Sequence, residues 1–197
     1  MTLAAATFTF DGLQCGRERA DMPRRIVFVC TGNSCRSPLA EVLARARYAD
    51  LPLIFASAGT DAAAGLPASL EACAIARERG LDLDAHRSAP VDAVAVAEAA
   101  WLIGLTRMHA ALLLHRVSAE WPGRIGLLGS PGRDWRLDGP LVVTRGSGDG
   151  EVADPDIADP WRQDLETYRL TASRIDRCLA AWADVFCGIR SRKVCDP

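Results

Sequence analysis

A cysteine and an arginine bracket a short polar loop in Cys30-Thr31-Gly32-Asn33-Ser34-Cys35-Arg36, and Ser37 follows directly. A thiolate is a strong nucleophile, and an arginine fork grips two oxygens of a tetrahedral anion. Spacing alone is weak evidence, because this composition supplies about one Cys-x5-Arg by chance. A second copy, Cys73 to Arg79, falls in an alanine-rich helical stretch without glycine and cannot wrap a ligand. Context separates the two. Arg25-Ile-Val-Phe-Val-Cys30 reads as a buried parallel strand. Gly32 and Asn33 tolerate the positive φ of a tight cradle. Ser37 as N-cap and Pro38 at the first turn open a helix. A loop running from a strand into a helix N-terminus presents backbone N–H groups to an anion. The positive helix end and Arg36 also favour the thiolate form of Cys30. Neither Gly-Lys-Ser/Thr nor G-x-G-x-x-G is present, so nucleotide-loop chemistry is excluded. A Cys30 thiolate held beneath a bound phosphate can attack phosphorus in line, and a phosphocysteine formed without metal or cofactor is the expectation.

The elements that must position this loop are legible along the chain. Further strands are expected at 53–57, 101–105 and 124–128. Helices are expected at 68–79, stopped by Gly80, at 91–98, at 107–115 and at about 163–186. In the last helix Leu165, Tyr168, Ala172, Ile175, Leu179, Trp182 and Phe186 recur at three- and four-residue steps, the mark of one buried face. Strands alternating with helices predict a three-layer α/β/α domain around a four-stranded parallel sheet. That domain is expected over 24–190. An N-terminal extension covers 1–23, and a tail covers 191–197. A Gly- and Pro-rich insertion, read as a surface loop with a hairpin at Leu141-Val-Val-Thr144, covers 129–156.

The formal net charge of −2 gives no general footprint for nucleic acid, and no apolar run is long enough to span a bilayer. The chain has 7 cysteines, an odd count at irregular spacing, and no secretory signal pattern precedes them. Reduced cytoplasmic thiols are therefore expected rather than a disulfide framework. No cysteine–histidine set has the spacing of a zinc site.

Val29-Cys-Thr-Gly-Asn-Ser-Cys-Arg-Ser-Pro-Leu-Ala-Glu41 resembles the signature of the low-molecular-weight protein-tyrosine phosphatases. The resemblance extends through Ser57-Ala-Gly-Thr60, Gly80-Leu-Asp-Leu-Asp-Ala-His-Arg87 and Asp159-Pro-Trp161. It implies Cys30 as nucleophile, Arg36 as phosphate binder and Ser37 as the group that stabilises the leaving thiolate. It also implies a polar network around Asn33 that includes Ser37, Ser57 and His86. Cys35 is implied as a reversible disulfide partner of Cys30. The family's general acid lies in an Asp-Pro-aromatic sequence. Asp159-Pro160-Trp161 fits that pattern better than Asp154-Pro155-Asp156, so Asp159 is the expected acid and Trp161 a wall of the aryl pocket. The resemblance further implies a phosphorylated protein as substrate, phosphate, sulfate or vanadate as ligands of the loop, no nucleic-acid or membrane partner, and a monomer or weak dimer.

Three rival readings share these residues. A small hydroxyl residue such as Ser34 is also found in related protein phosphoarginine phosphatases. An arsenate reductase needs a redox cysteine pair after the third strand, and residues 101–123 contain no cysteine. An inactive phosphate-binding module would not need Cys30, Arg36 and Asp159 together. His86 reads as a satisfied core histidine, and His109 and His115 as helix-surface residues. Cys15, Cys178, Cys187 and Cys195 carry no assignment.

Overall fold

The computed structural model describes residues 24–138 and 154–190. The first strand, β1 (Arg24–Cys30), is apolar on both sides because both its faces are covered. Ile26, Phe28 and Cys30 belong to one core cluster, Val27 and Val29 to a second, as the two-residue period of a strand requires. Strands β2 (Leu53–Gly59), β3 (Ala99–Gly104) and β4 (Arg124–Leu127) complete a four-stranded sheet in the order β2-β1-β3-β4. Every pairing is parallel.

Helices α1 (Arg36–Arg47), α2 (Leu70–Glu78), α6 (Leu165–Ala181) and α7 (Ala183–Arg190) supply the first cluster. Helices α3 (Ala93–Glu98), α4 (Arg107–Leu114) and α5 (Trp135–Asp138) lie with the second. The result is the expected three-layer α/β/α fold. The chain steps from β1 to β2 on one side, then crosses to β3 on the other. The sheet order reverses beside β1, and open parallel sheets bind ligands at such a switch point, beyond the carboxyl ends of the strands. Cys30 is the last residue of β1.

Three expectations change. Helix α1 begins at Arg36, with Cys35 as an N-cap whose side chain makes no capping bond to the helix. Ser37 cannot cap, because its hydroxyl is engaged by Cys30, Asn33 and Ala58. The long C-terminal helix is broken at Trp182. That residue's indole N–H is held by the Leu128 carbonyl at 2.9 Å, and its backbone N–H tightens onto Leu179 at 2.9 Å. The apolar face nonetheless continues to Phe186, which is fully buried.

The stretch read as an insertion starts inside the fold. Trp135 on α5 is buried, and the Arg136 guanidinium donates to the carbonyls of Ala119, Trp121 and Gly123. The hairpin expected at 141–144, the extension 1–23 and the tail 191–197 lie outside the described residues. No helix among the described residues is long and apolar enough to cross a membrane.

Candidate active site

The loop after β1 is held from outside by its carbonyls. Thr60 N–H reaches Cys30 O at 2.8 Å, Asp61 N–H reaches Thr31 O at 2.9 Å, and Ser69 N–H reaches Ser34 O at 2.9 Å. His86 Nε2 donates to Asn33 O at 2.7 Å. With the carbonyls turned outward, the backbone N–H groups of 32–37 have no partner among the described residues. Unpaired N–H groups converging at a helix N-terminus form an anion site. Asn33 sits at φ 53°, the left-handed conformation that the sequence anticipates. Gly59 permits the close approach of β2, since a Cβ there would lie 2.4 Å from Thr31 O.

Asn33 is buried and fully engaged. Its amide donates to Ser37 Oγ and Ser57 Oγ, each at 2.9 Å, and its Oδ1 accepts Ala89 N–H at 2.8 Å. Ser57 in turn donates to Glu41, and Glu41 pairs with Arg45. Ser37 Oγ lies 3.0 Å from Cys30 Sγ. A hydrogen-bonded chain thus runs from a nearly buried carboxylate to the thiol. Glu41 is the member the sequence reading did not assign. Its position one helical turn after Ser37, facing the same strand, was the available signal.

Arg36 is 5% exposed. Its guanidinium donates to Ile157 O at 3.2 Å and to Asp159 Oδ2 at 2.5 Å, while its Nε–H is buried without a partner among the described residues. The structure therefore brings Asp159, the acid expected from the sequence, to the loop of residues 30–36. Asp154 stands elsewhere: it pairs with Arg107 at 3.0 Å and is largely exposed. Asp156 takes the Arg107 N–H at 2.7 Å and its Nε at 3.1 Å, which pins the start of the acid loop to α4. Gly129 lets the turn after β4 abut this loop, since a Cβ there would meet Pro155 O at 2.1 Å. Trp161 is 52% exposed on the same loop, and its N–H caps Asp159 Oδ1 at 3.2 Å.

Cys35 is buried, with Sγ 3.2 Å from Tyr168 Oη and 3.5 Å from the hydroxyls of Ser34 and Ser69. Burial pushes the Cys73 and Cys178 thiols up, so neither competes as a nucleophile. Cys187 is exposed, and Cys15 and Cys195 lie outside the described residues. Among the described residues no three His, Cys, Asp or Glu side chains cluster as a metal site.

His109 corrects the sequence reading. It is a fully buried residue of α4 rather than a surface one. Its ring joins Thr31 Oγ1 at 3.0 Å to Thr106 Oγ1 at 2.8 Å. Burial and then the Arg36 charge push it from 6.5 down to about 4, against weaker upward pulls from Asp159 and Asp156. Between those pH values the unfolded chain binds a proton that the folded chain refuses. Stability is therefore full above pH 6.5 and lost as pH falls toward 4, by up to about 3 kcal/mol. Urea unfolding at pH 7.5 and pH 4.5 measures this loss. It should shrink in a His109→Gln variant, and an equal loss in both proteins assigns the acid sensitivity to other groups.

Residues 25–136 match the family model described as low molecular weight phosphotyrosine protein phosphatase. The chain belongs to this family. It is accordingly a phosphoric monoester hydrolase. A probable low-molecular-weight protein-tyrosine-phosphatase, EpsP, of Ralstonia nicotianae is 28% identical over 161 residues, which is 82% of this chain and 94% of that protein. A protein-arginine-phosphatase of Geobacillus stearothermophilus is 30% identical over 164 residues, 83% of this chain and 96% of that protein. The solved YwlE arginine phosphatase from Geobacillus stearothermophilus superposes with a TM-score of 0.68 at 27% identity, covering 89% of this chain and 100% of that one. The family-model match ends at residue 136, before Asp159.

Proposed function

We propose that this low-molecular-weight phosphatase hydrolyses phosphotyrosine in proteins through a phosphocysteine on Cys30. The carrying observation is the Arg36 guanidinium, which reaches Asp159 while its buried Nε–H and the loop N–H groups stay unpaired. A phosphate dianion satisfies those donors and displaces Asp159 from Arg36. Cys30 Sγ then attacks phosphorus, the bond to the phenolic oxygen breaks, and Asp159 gives that oxygen its proton. Ser37 donates to Ala58 O at 3.3 Å in this structure, and its proton is available to a thiolate 3.0 Å away. In the second half-reaction the Asp159 carboxylate takes a proton from water, which attacks the phosphocysteine and frees the thiolate. Trp161 offers an exposed indole on the acid loop against which an aryl ring stacks. The reading places the enzyme in the cytoplasm, where the thiol stays reduced.

Phosphoarginine is the second reading. It is favoured by the small hydroxyl of Ser34 in the loop and by the similarity to a protein-arginine-phosphatase. Matched phosphotyrosine and phosphoarginine peptides separate the two. The first reading expects the higher kcat/KM on phosphotyrosine, and the reverse ranking assigns the enzyme to phosphoarginine.

A further inference from the structure

One buried titratable side chain takes no part in that reaction scheme. His109 stands on the first turn of α4, between two loops that carry the chemistry. Its Nε2 meets Thr31 Oγ1 in the phosphate loop, next to Cys30, at 3.0 Å. Its Nδ1 meets Thr106 Oγ1, the N-cap of α4, at 2.8 Å. The segment between Leu105 and His109 also holds the acid loop. Leu105 O accepts Ile157 N–H at 2.9 Å, and Arg107 binds Asp154 and Asp156. Ile157 O then accepts Arg36 at 3.2 Å, closing a ring of contacts around the anion site.

We propose that His109 is a positioning residue of this enzyme, a neutral imidazole that fixes the Thr31 hydroxyl in the phosphate loop and registers that loop against the turn holding the acid loop. The proposal rests on the assignment of Cys30 and Asp159 above.

Proton bookkeeping supports it. Thr106 Oγ1 already accepts the His109 N–H at 3.3 Å, so its own proton is free for Nδ1. Nε2 then carries the ring proton and donates to Thr31 Oγ1. Thr31 keeps its hydroxyl proton and has no acceptor for it among the described residues. An anion oxygen in the loop is a suitable acceptor. A cationic ring would face the Arg36 guanidinium, and its depressed basicity agrees with a neutral one. No other common side chain joins two hydroxyls on separate loops with one rigid ring.

The test compares His109→Asn, His109→Gln, Thr31→Val and the Thr31→Val/His109→Asn pair. Asn is too short to replace Nε2, whereas the Gln amide reaches its position. The readouts are kcat/KM for 4-nitrophenyl phosphate per iodoacetate-reactive Cys30, and the affinity for inorganic phosphate by calorimetry. Thr31→Val lies on a part-exposed loop residue and keeps the side-chain shape, so it tests the same bond where a histidine variant fails to fold. His109→Asn and Thr31→Val should each lower kcat/KM about tenfold, the value of one buried hydrogen bond. The double variant should be no worse than either single, and His109→Gln should recover most of the loss. The proposal is overturned if the two effects multiply, if Gln and Asn lose alike, or if Thr31→Val changes nothing. Failure of the underlying assignment looks different: turnover would survive Cys30→Ser, while the phosphate-affinity cycle between Thr31 and His109 would still be readable.

Discussion

Cys30→Ser should remove turnover by a factor on the order of 10⁴ or more, while inorganic phosphate still binds. The groups that hold the anion are not altered by this change. Arg36 is anchored by Ile157 O and Asp159, and the loop N–H groups are set by carbonyls bonded to Thr60, Asp61 and Ser69. Serine is close to cysteine in size, so the cradle keeps its shape. What is lost is the nucleophile. An alcohol is far less acidic than a thiol, and its alkoxide is a far poorer leaving group in the second half-reaction. Ser37, 3.0 Å from Cys30 Sγ, is placed to donate to a thiolate there and is expected to give no comparable help to an alcohol. Steady-state assay with 4-nitrophenyl phosphate and calorimetry with phosphate decide the matter. Turnover within tenfold of the native enzyme overturns the phosphocysteine mechanism. Loss of phosphate binding along with turnover instead shows that the substitution collapsed the loop.

How far the site could be read from sequence depends on the range of each interaction. Cys30, Asn33, Arg36 and Ser37 lie within one strand–loop–helix unit, and local rules suffice there: a buried strand, residues tolerant of positive φ, a helix start. Even so, helix α1 begins two residues early, with its N-cap at Cys35 rather than Ser37. The rule that makes serine a cap does not know that the Ser37 hydroxyl is claimed by Cys30 and Asn33.

The strand order β2-β1-β3-β4 is not local, and the alternation of elements left it open. His109 was misread because nothing beside it in sequence reveals its partner, Thr31, which lies 78 residues away. It falls on the stripe of Leu113, four residues on, and that spacing was the missed signal. Trp135 was hidden for a different reason. Its neighbours are glycine, proline and charged residues that imply a surface loop, and the Arg136 bonds to three carbonyls of 119–123 and the Asp134 carboxylate on Ile125 N–H draw it inward.

Asp159→Ala should slow hydrolysis of phenyl phosphate by roughly 10²–10⁴, the usual worth of a positioned general acid, and Asp154→Ala should slow it by no more than about fivefold. The two aspartates differ in their partners, and that difference sets the ranking. Asp159 meets Arg36, the proposed phosphate binder, so substrate entry is expected to change its environment directly. Asp154 meets Arg107 on α4 from an exposed position, and Asp156 duplicates that anchor. An exposed ion pair with a second carboxylate to replace it contributes little. The leaving group sharpens the contrast. Phenolate needs its proton as the P–O bond breaks, whereas 4-nitrophenolate leaves well without one. The Asp159→Ala deficit should therefore shrink markedly on 4-nitrophenyl phosphate, while any Asp154→Ala deficit, being structural, should be the same on both substrates. A larger loss from Asp154→Ala that depends on the leaving group moves the acid to Asp154. That in turn requires the loop to leave its anchors on Arg107 and Leu105 before each turnover.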